Sequence, residues 1–201
     1  MKLTESELSE RLRDLLTTRR YRHSIGVMQT AARLAGRYGA NVEKARIAGL
    51  VHDCARDLPP DVSRKLVAQW GISLDEIEVA EPKLIHGPLG CEYARRQLGI
   101  NDPEILNAIR FHATGRVDMS LLEKVIYVAD CIEPGRVYRG VANIREAAGR
   151  NLDEALIMCQ DQKLLFLIKK GAMIHPRAID ARNSTLMHCR VAREALVKGV
   201  D

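Results

Sequence analysis

Aromatic side chains are scarce in this 201-residue chain: two Phe, one Trp and five Tyr amount to 4% of it. So few rings leave no row of stacking platforms for the bases of a single-stranded nucleic acid. Cysteine is also sparse. Cys54, Cys91, Cys131, Cys159 and Cys189 are odd in number and form no C-x-x-C pair, which argues against a disulfide framework or a zinc ribbon and for reduced thiols. Long apolar runs are missing. Leu164 to Ile168 is one of the longest, far short of the roughly 20 residues that cross a bilayer. The opening MKLTESELSERL lacks the apolar core and small-residue cleavage site of a secretory signal, so the chain is expected in the cytoplasm. Basic runs are absent too. The formal charge of +5 comes from Lys and Arg scattered singly, so no nucleic-acid arm is marked, and a compact polyanion suits that charge as well as RNA does.

What is present reads as one soluble globular domain over residues 1–201, with 46% apolar and 28% charged residues. Apolar spacings of three and four recur from end to end while strand-type alternation is nearly absent. The spacing therefore predicts an all-α bundle with short connecting loops. A capping box, Thr4 with Glu7, opens a first helix carrying Leu8, Leu12, Leu15 and Leu16 on one face. Further helices are predicted near 20–38, 42–54, 61–69, 88–98, 103–112, 119–131, 141–149, 152–169 and 176–198. Breaks fall at Gly39, Leu58-Pro59-Pro60, Gly87-Pro88, Gly99 to Pro103, Gly115, Pro134-Gly135 and Gly171. No repeat, linker or low-complexity segment stands out.

Several ionisable residues extend the apolar stripes instead of lying opposite them. His23 is in phase with Val27, Ala31, Leu34 and Tyr38; His52 follows Ala45 and Ala48; His112 follows Ile105, Ala108 and Ile109; Asp130 closes LLEKVIYVAD. Any one alone reads as a satisfied core or cap residue. Together with Asp53 they need a common counterpart, because burying that many polar groups unpaired costs several kcal/mol each. A divalent metal supplies it. Imidazole nitrogen and carboxylate oxygen suit iron, zinc, manganese or nickel, whereas calcium wants oxygens only. His86, in LIHGP just before a helix, brings the candidates to six, enough for two metals with Asp53 bridging. His175, in a loop beside Pro176, and His188, on a charged helix, are read as structural, and Cys54 and Cys131 as small buried hydrophobes.

The order His23, His52-Asp53, His86, His112, Asp130 resembles that of HD-domain phosphohydrolases. Within them, YRHSIGVMQTA, LVHDCARDLPP, IHGPLG, AIRFHATGR and SLLEKVIYVADCIEPGR are similar to the YqeK family of bacterial iron-dependent symmetrical diadenosine tetraphosphatases, and the likeness runs nearly the whole chain. The resemblance implies a single HD-domain helical bundle. It also implies His23, His52, Asp53, His86, His112 and Asp130 as ligands of iron, with His52 and Asp53 central to catalysis, and nucleotide contacts near Arg56, Gly87, Thr114, Gly115 and Arg136. One position departs: Arg56 stands where the family usually has lysine, so a planar fork replaces a point donor.

The activity so implied is cleavage of diadenosine tetraphosphate into two ADP. A metal-held hydroxide would attack an inner phosphorus, with no serine or cysteine nucleophile required. Arg56 and Arg136 would neutralise phosphates; Arg22, Arg110, Arg116 and Arg139 are read as solvated surface. Other HD-type nucleotide phosphohydrolases are the rival class, although no Gly-Tyr-Pro signature of cyclic-dinucleotide enzymes occurs. A noncatalytic nucleotide- or RNA-binding helical protein is the third reading. The partner expected is a small dinucleoside polyphosphate or nucleotide, with no membrane and no clear nucleic-acid site, and a homodimer is left open.

Overall fold

The computed structural model describes residues 3–198, with side chains through residue 190. Among these residues there are eleven α-helices and no strand, as the apolar spacing predicts. They are α1 (Glu5–Leu15), α2 (Thr18–Tyr38), α3 (Val42–Val51), α4 (Pro60–Trp70), α5 (Glu76–Ala80), α6 (His86–Gln97), α7 (Pro103–Phe111), α8 (Leu121–Ile132), α9 (Val141–Ala148), α10 (Leu152–Lys169) and α11 (Pro176–Lys198). The short α5 and a 3₁₀ turn at Pro82–Leu84 have no counterpart in the sequence reading, since single turns carry too few residues for a period to register. No helix among the described residues is long and apolar enough to cross a membrane.

Local chemistry explains most helix starts. Thr4 and Ser120 form capping boxes with Glu7 and Glu123, and Asn41, Asp102 and Asn151 each accept an N-terminal amide of the helix they open. α8 is apolar nearly all round, and its residues Val125 to Ile132 are buried without exception, so it forms the axis of the core. α2, α7 and α10 pack directly on it, and α3 fills the angle between α2 and α7.

Two close approaches set the frame of the site. A Cβ on Gly49 would lie 2.9 Å from the Cα of Met28, and one on Gly87 would lie 2.6 Å from the carbonyl oxygen of Arg110. Glycine thus lets α3 meet α2, and α6 meet α7, at backbone contact. Those contacts carry His52 toward His23 and His86 toward His112.

Candidate metal centre

The six candidate ligands do converge, and most of them sit at helix ends. His52 and Asp53 follow the last residue of α3, His112 follows α7, and Asp130 is in the last turn of α8. His86 is the first residue of α6, not a loop residue before it. His23 alone lies away from a helix end, on the second turn of α2. Helix ends suit ligands because the chain changes direction there, so adjacent residues such as His52 and Asp53 can both face one point.

Backbone bonds decide which imidazole nitrogen is left free. Nδ1 of His52 donates to the Gly49 carbonyl at 2.7 Å, and Nδ1 of His112 donates to the Ile109 carbonyl at 2.7 Å. A carbonyl only accepts, so Nε2 carries the lone pair in both rings. Nδ1 of His23 lies 3.1 Å from Oε1 of Glu133, and the same reasoning leaves its Nε2 as an acceptor. The Nε2 atoms of His23 and His52 are buried with no hydrogen-bond partner. They face carboxylate oxygens instead: His23 Nε2 is 3.1 Å from Asp130 Oδ1 and 3.8 Å from Asp53 Oδ2, and His52 Nε2 is 3.5 Å from Asp53 Oδ2. Acceptors set against acceptors in a buried place call for a cation. Donors held about 2.1 Å from one ion and at right angles lie about 3 Å apart, so His23, His52, Asp53 and Asp130 fit a first metal pole.

Asp53 turns its other oxygen the opposite way. Its Oδ1 is 3.4 Å from Nε2 of both His86 and His112, and those two nitrogens are 2.9 Å apart. This second pole is less settled in its protons. Nδ1 of His86 is within hydrogen-bond distance of both the Lys83 carbonyl, at 2.5 Å, and Nη1 of Arg56, at 2.7 Å. Donation to Lys83 frees Nε2 as a ligand; acceptance from Arg56 puts the proton on Nε2, where it bonds to His112. The tautomer of His86 therefore depends on what occupies the pole.

Electrostatics keep four of the candidate ligands, Asp53, Asp130, His86 and His112, in binding form, while at His52 burial is outweighed by Asp53, which raises it. Burial would raise Asp53, but the His52 and His112 imidazoles hold it well below the usual carboxylate range. Burial would likewise raise Asp130, and His23, Lys163 and Arg136 hold it well below. Burial and the facing His112 push His86 well below an ordinary histidine, and burial lowers His112 as well.

Beside the centre opens a cavity of about 390 Å³. Its lining includes the polar residues Arg20, Arg56, Thr114, Arg136 and Lys163 and the apolar residues Leu84, Leu164, Phe166, Leu167 and Met173. Of the nucleotide contacts expected from the resemblance, Arg56, Thr114 and Arg136 reach the cavity. Gly87 and Gly115 do not line it. Gly87 serves the α6–α7 contact, and at Gly115, with φ 71°, a Cβ would fall 2.9 Å from that of Ala181, so each glycine has a packing role. Cys54 is buried with its thiol donating to the Gly90 carbonyl, in keeping with a structural role.

Several residues at the site were not legible beforehand. Arg20 donates to Asp53 Oδ2 at 2.8 Å, alongside the expected Arg136, which donates to Asp130 Oδ1 at 2.5 Å. Glu133 fits under His23 because Gly26 leaves room, a Cβ there falling 2.6 Å from Glu133 Oε2. Arg145 donates to the carbonyls of Ile132, Glu133 and Arg136 at 2.8–2.9 Å, which stiffens the turn carrying both Glu133 and Arg136. Arg116, read as solvated surface, makes a two-pronged bond to buried Glu123.

His175, read as structural, is buried and borders the cavity. Its Nε2 donates to Asp75 Oδ2 at 2.7 Å, and Arg177 joins Asp75 and Glu78 at 2.9 and 3.3 Å. This cluster ties the start of α5 to the start of α11 beside the cavity. His188 is exposed, near Asp118.

A family model described as HD domain matches residues 20–135. The symmetrical bis(5'-nucleosyl)-tetraphosphatase of Halalkalibacterium halodurans is 42% identical, over 86% of this chain and 91% of that protein. Its Bacillus subtilis counterpart is 42% identical, over 80% of this chain and 86% of the other. The crystal structure of a predicted HD superfamily hydrolase involved in NAD metabolism, from Clostridium acetobutylicum, superposes with a TM-score of 0.89 at 45% identity, covering 94% of this chain and all of that one.

Proposed function

The chain belongs to the HD domain family, and on that premise we propose that it is a metal-dependent hydrolase cleaving diadenosine tetraphosphate symmetrically into two ADP. The observation that carries this reading is the pair of buried, unpartnered Nε2 atoms of His23 and His52 aimed at oxygens of Asp53 and Asp130, directly beside a cavity lined by both cationic and apolar side chains.

Iron suits the mixed nitrogen and oxygen donor set. A divalent cation held by these residues supplies Lewis acidity, lowering the pKa of water toward neutrality and drawing charge from a phosphoryl group. The chain's own groups supply the rest. Arg20, Arg56 and Arg136 border the ligands and offer charge-assisted hydrogen bonds to phosphate oxygens. Leu84, Leu167 and Met173 offer an adenine base an apolar seat. The cavity is at the small end of the roughly 300–1,000 Å³ typical of ligand pockets, so one nucleoside diphosphate half fills it and the other half leaves through its mouth. In the overall balance, water adds its hydroxyl to one inner phosphorus and the bridging oxygen departs with the second ADP.

Asp53, with one oxygen toward each pole, supports a two-metal centre in which His86 and His112 hold the second ion. A second reading is favoured by the Arg56 contact to His86: there the far pole binds a phosphate oxygen through the Nε2 proton of His86. Metal analysis of protein prepared anaerobically separates them, two ions per chain against one. Chromatography of the products tests the activity: ADP alone is expected from protein with ferrous iron, whereas ATP with AMP, or no turnover, would sink the symmetrical reading in favour of another nucleotide phosphohydrolase.

A further inference from the structure

Lys163 shares in holding Asp130 ionised without hydrogen-bonding to it, so its ammonium keeps donors for another partner. It lies on the face of α10 that packs on α8, with Nζ 3.9 Å from the centre of the Tyr127 ring and 3.6 Å from Asp130 Oδ2. Its one hydrogen bond goes to the His112 carbonyl, at 3.3 Å. An ammonium has three donors, and Asp130 Oδ2 is beyond hydrogen-bond reach. Lys163 lines the cavity, and 30% of its side-chain surface remains accessible, so its open donors face the cavity.

A lysine beside a buried aspartate commonly serves only to neutralise it, but Arg136 already does so from 2.5 Å, on the oxygen that faces His23. Lys163 stands by the other oxygen, on the cavity side of the first pole. A phosphate reaching that pole from the cavity has to pass its nonbridging oxygens within reach of this ammonium.

We propose that Lys163 is a further substrate-binding residue, donating to a nonbridging oxygen of the inner phosphate of the substrate half held in the cavity, the phosphate that becomes the β-phosphate of ADP. This rests on the symmetrical tetraphosphatase reading, because only cleavage between the inner phosphates leaves a β-phosphate at the centre. The contact strengthens binding of the diphosphate and leaves recognition of the nucleoside to the apolar lining.

The experiment measures inhibition of the iron-loaded protein by ADP and by adenosine, for wild type, Lys163→Met and Lys163→Arg. Losing one charge-assisted hydrogen bond should weaken ADP about tenfold and leave adenosine, metal content and melting temperature unchanged, while Lys163→Arg recovers most of the loss. Lys163→Gln repeats the comparison with a second neutral side chain. Unchanged ADP inhibition overturns the proposal. So does an equal weakening of ADP and adenosine, or a loss of metal, since either marks a structural role. If the wild type makes no ADP from diadenosine tetraphosphate, the functional reading falls by itself, and direct calorimetric titration with ADP still judges Lys163.

Discussion

Glu133 Oε1 lies 3.1 Å from His23 Nδ1, so a carboxylate backs the imidazole whose opposite nitrogen faces Asp130. Such a partner holds the ring's orientation and tautomer and increases its basicity as a ligand. Glu133→Ala should lower metal affinity about 10–100-fold, read as metal retained after dialysis against graded chelator. Gly26→Ala should act in the same direction by displacing Glu133; full metal retention in both variants would remove Glu133 from the site.

Asp53→Ala removes the carboxylate that faces both poles. Turnover should vanish while the far-ultraviolet circular dichroism stays helical, because α2, α3, α7 and α8 also hold together through apolar residues such as Val27, Leu50, Ile109 and Ile126. Wild-type turnover in this variant would leave the metals without a catalytic part.

The metal-free protein should lose stability as pH falls. His86 and His112 are held below the ordinary value of 6.5, so between their folded values and 6.5 the unfolded chain binds more protons, and their contribution, present above 6.5, is lost through that window. His52 opposes them: burial would lower it, but Asp53 raises it overall, so its contribution is present below 6.5 and lost as pH rises through its folded value. Asp53 and Asp130 add stability present above 3.8 and lost below it. With two depressed imidazoles against one raised, melting should come at lower temperature near about pH 5 than near about pH 7.5, and His86→Ala should flatten the difference. A decline of unaltered size in that variant would contradict the assignment.

Arg177→Met strips the cation from Glu78, which is only 3% exposed, and from Asp75. Leaving a buried carboxylate unpaired costs about 1–3 kcal/mol, so the melting temperature should drop, and adding Glu78→Gln should restore part of it. With this tie beside the cavity gone, KM should rise more than kcat falls. Unchanged melting and kinetics would reduce the cluster to surface ornament.

Gly87→Ala brings a Cβ to 2.6 Å from the Arg110 carbonyl, and backbone has to yield. Overpacking of this kind costs about 1–3 kcal/mol, visible as a lower denaturant midpoint. A nucleotide-contact role would instead weaken ADP binding at unchanged stability.

The fold and the ligands were legible for the same reason. Apolar spacing reports which face of a helix is buried, and His23, His52, His112 and Asp130 stand out because they are ionisable on such faces. Glu133 and Arg20 were not, since each lies among ordinary charged neighbours and acquires its role only by touching a ligand. Gly87 and Gly115 follow or adjoin motif residues, and what their missing side chains allow, a backbone approach and a left-handed turn, shows only once the helices pack. His175 was read as structural and is so, but its partner Asp75 lies about 100 residues away in sequence, a distance no local reading spans.

What the sequence determined by itself is the helical architecture and the inventory of donors, because both follow from local periodicity and residue chemistry. The tertiary structure decided which nitrogen of each histidine is free, which way each oxygen of Asp53 points, and which cations face the cavity. Those depend on hydrogen bonds and contacts between segments far apart in the chain, and they arise only when the helices pack.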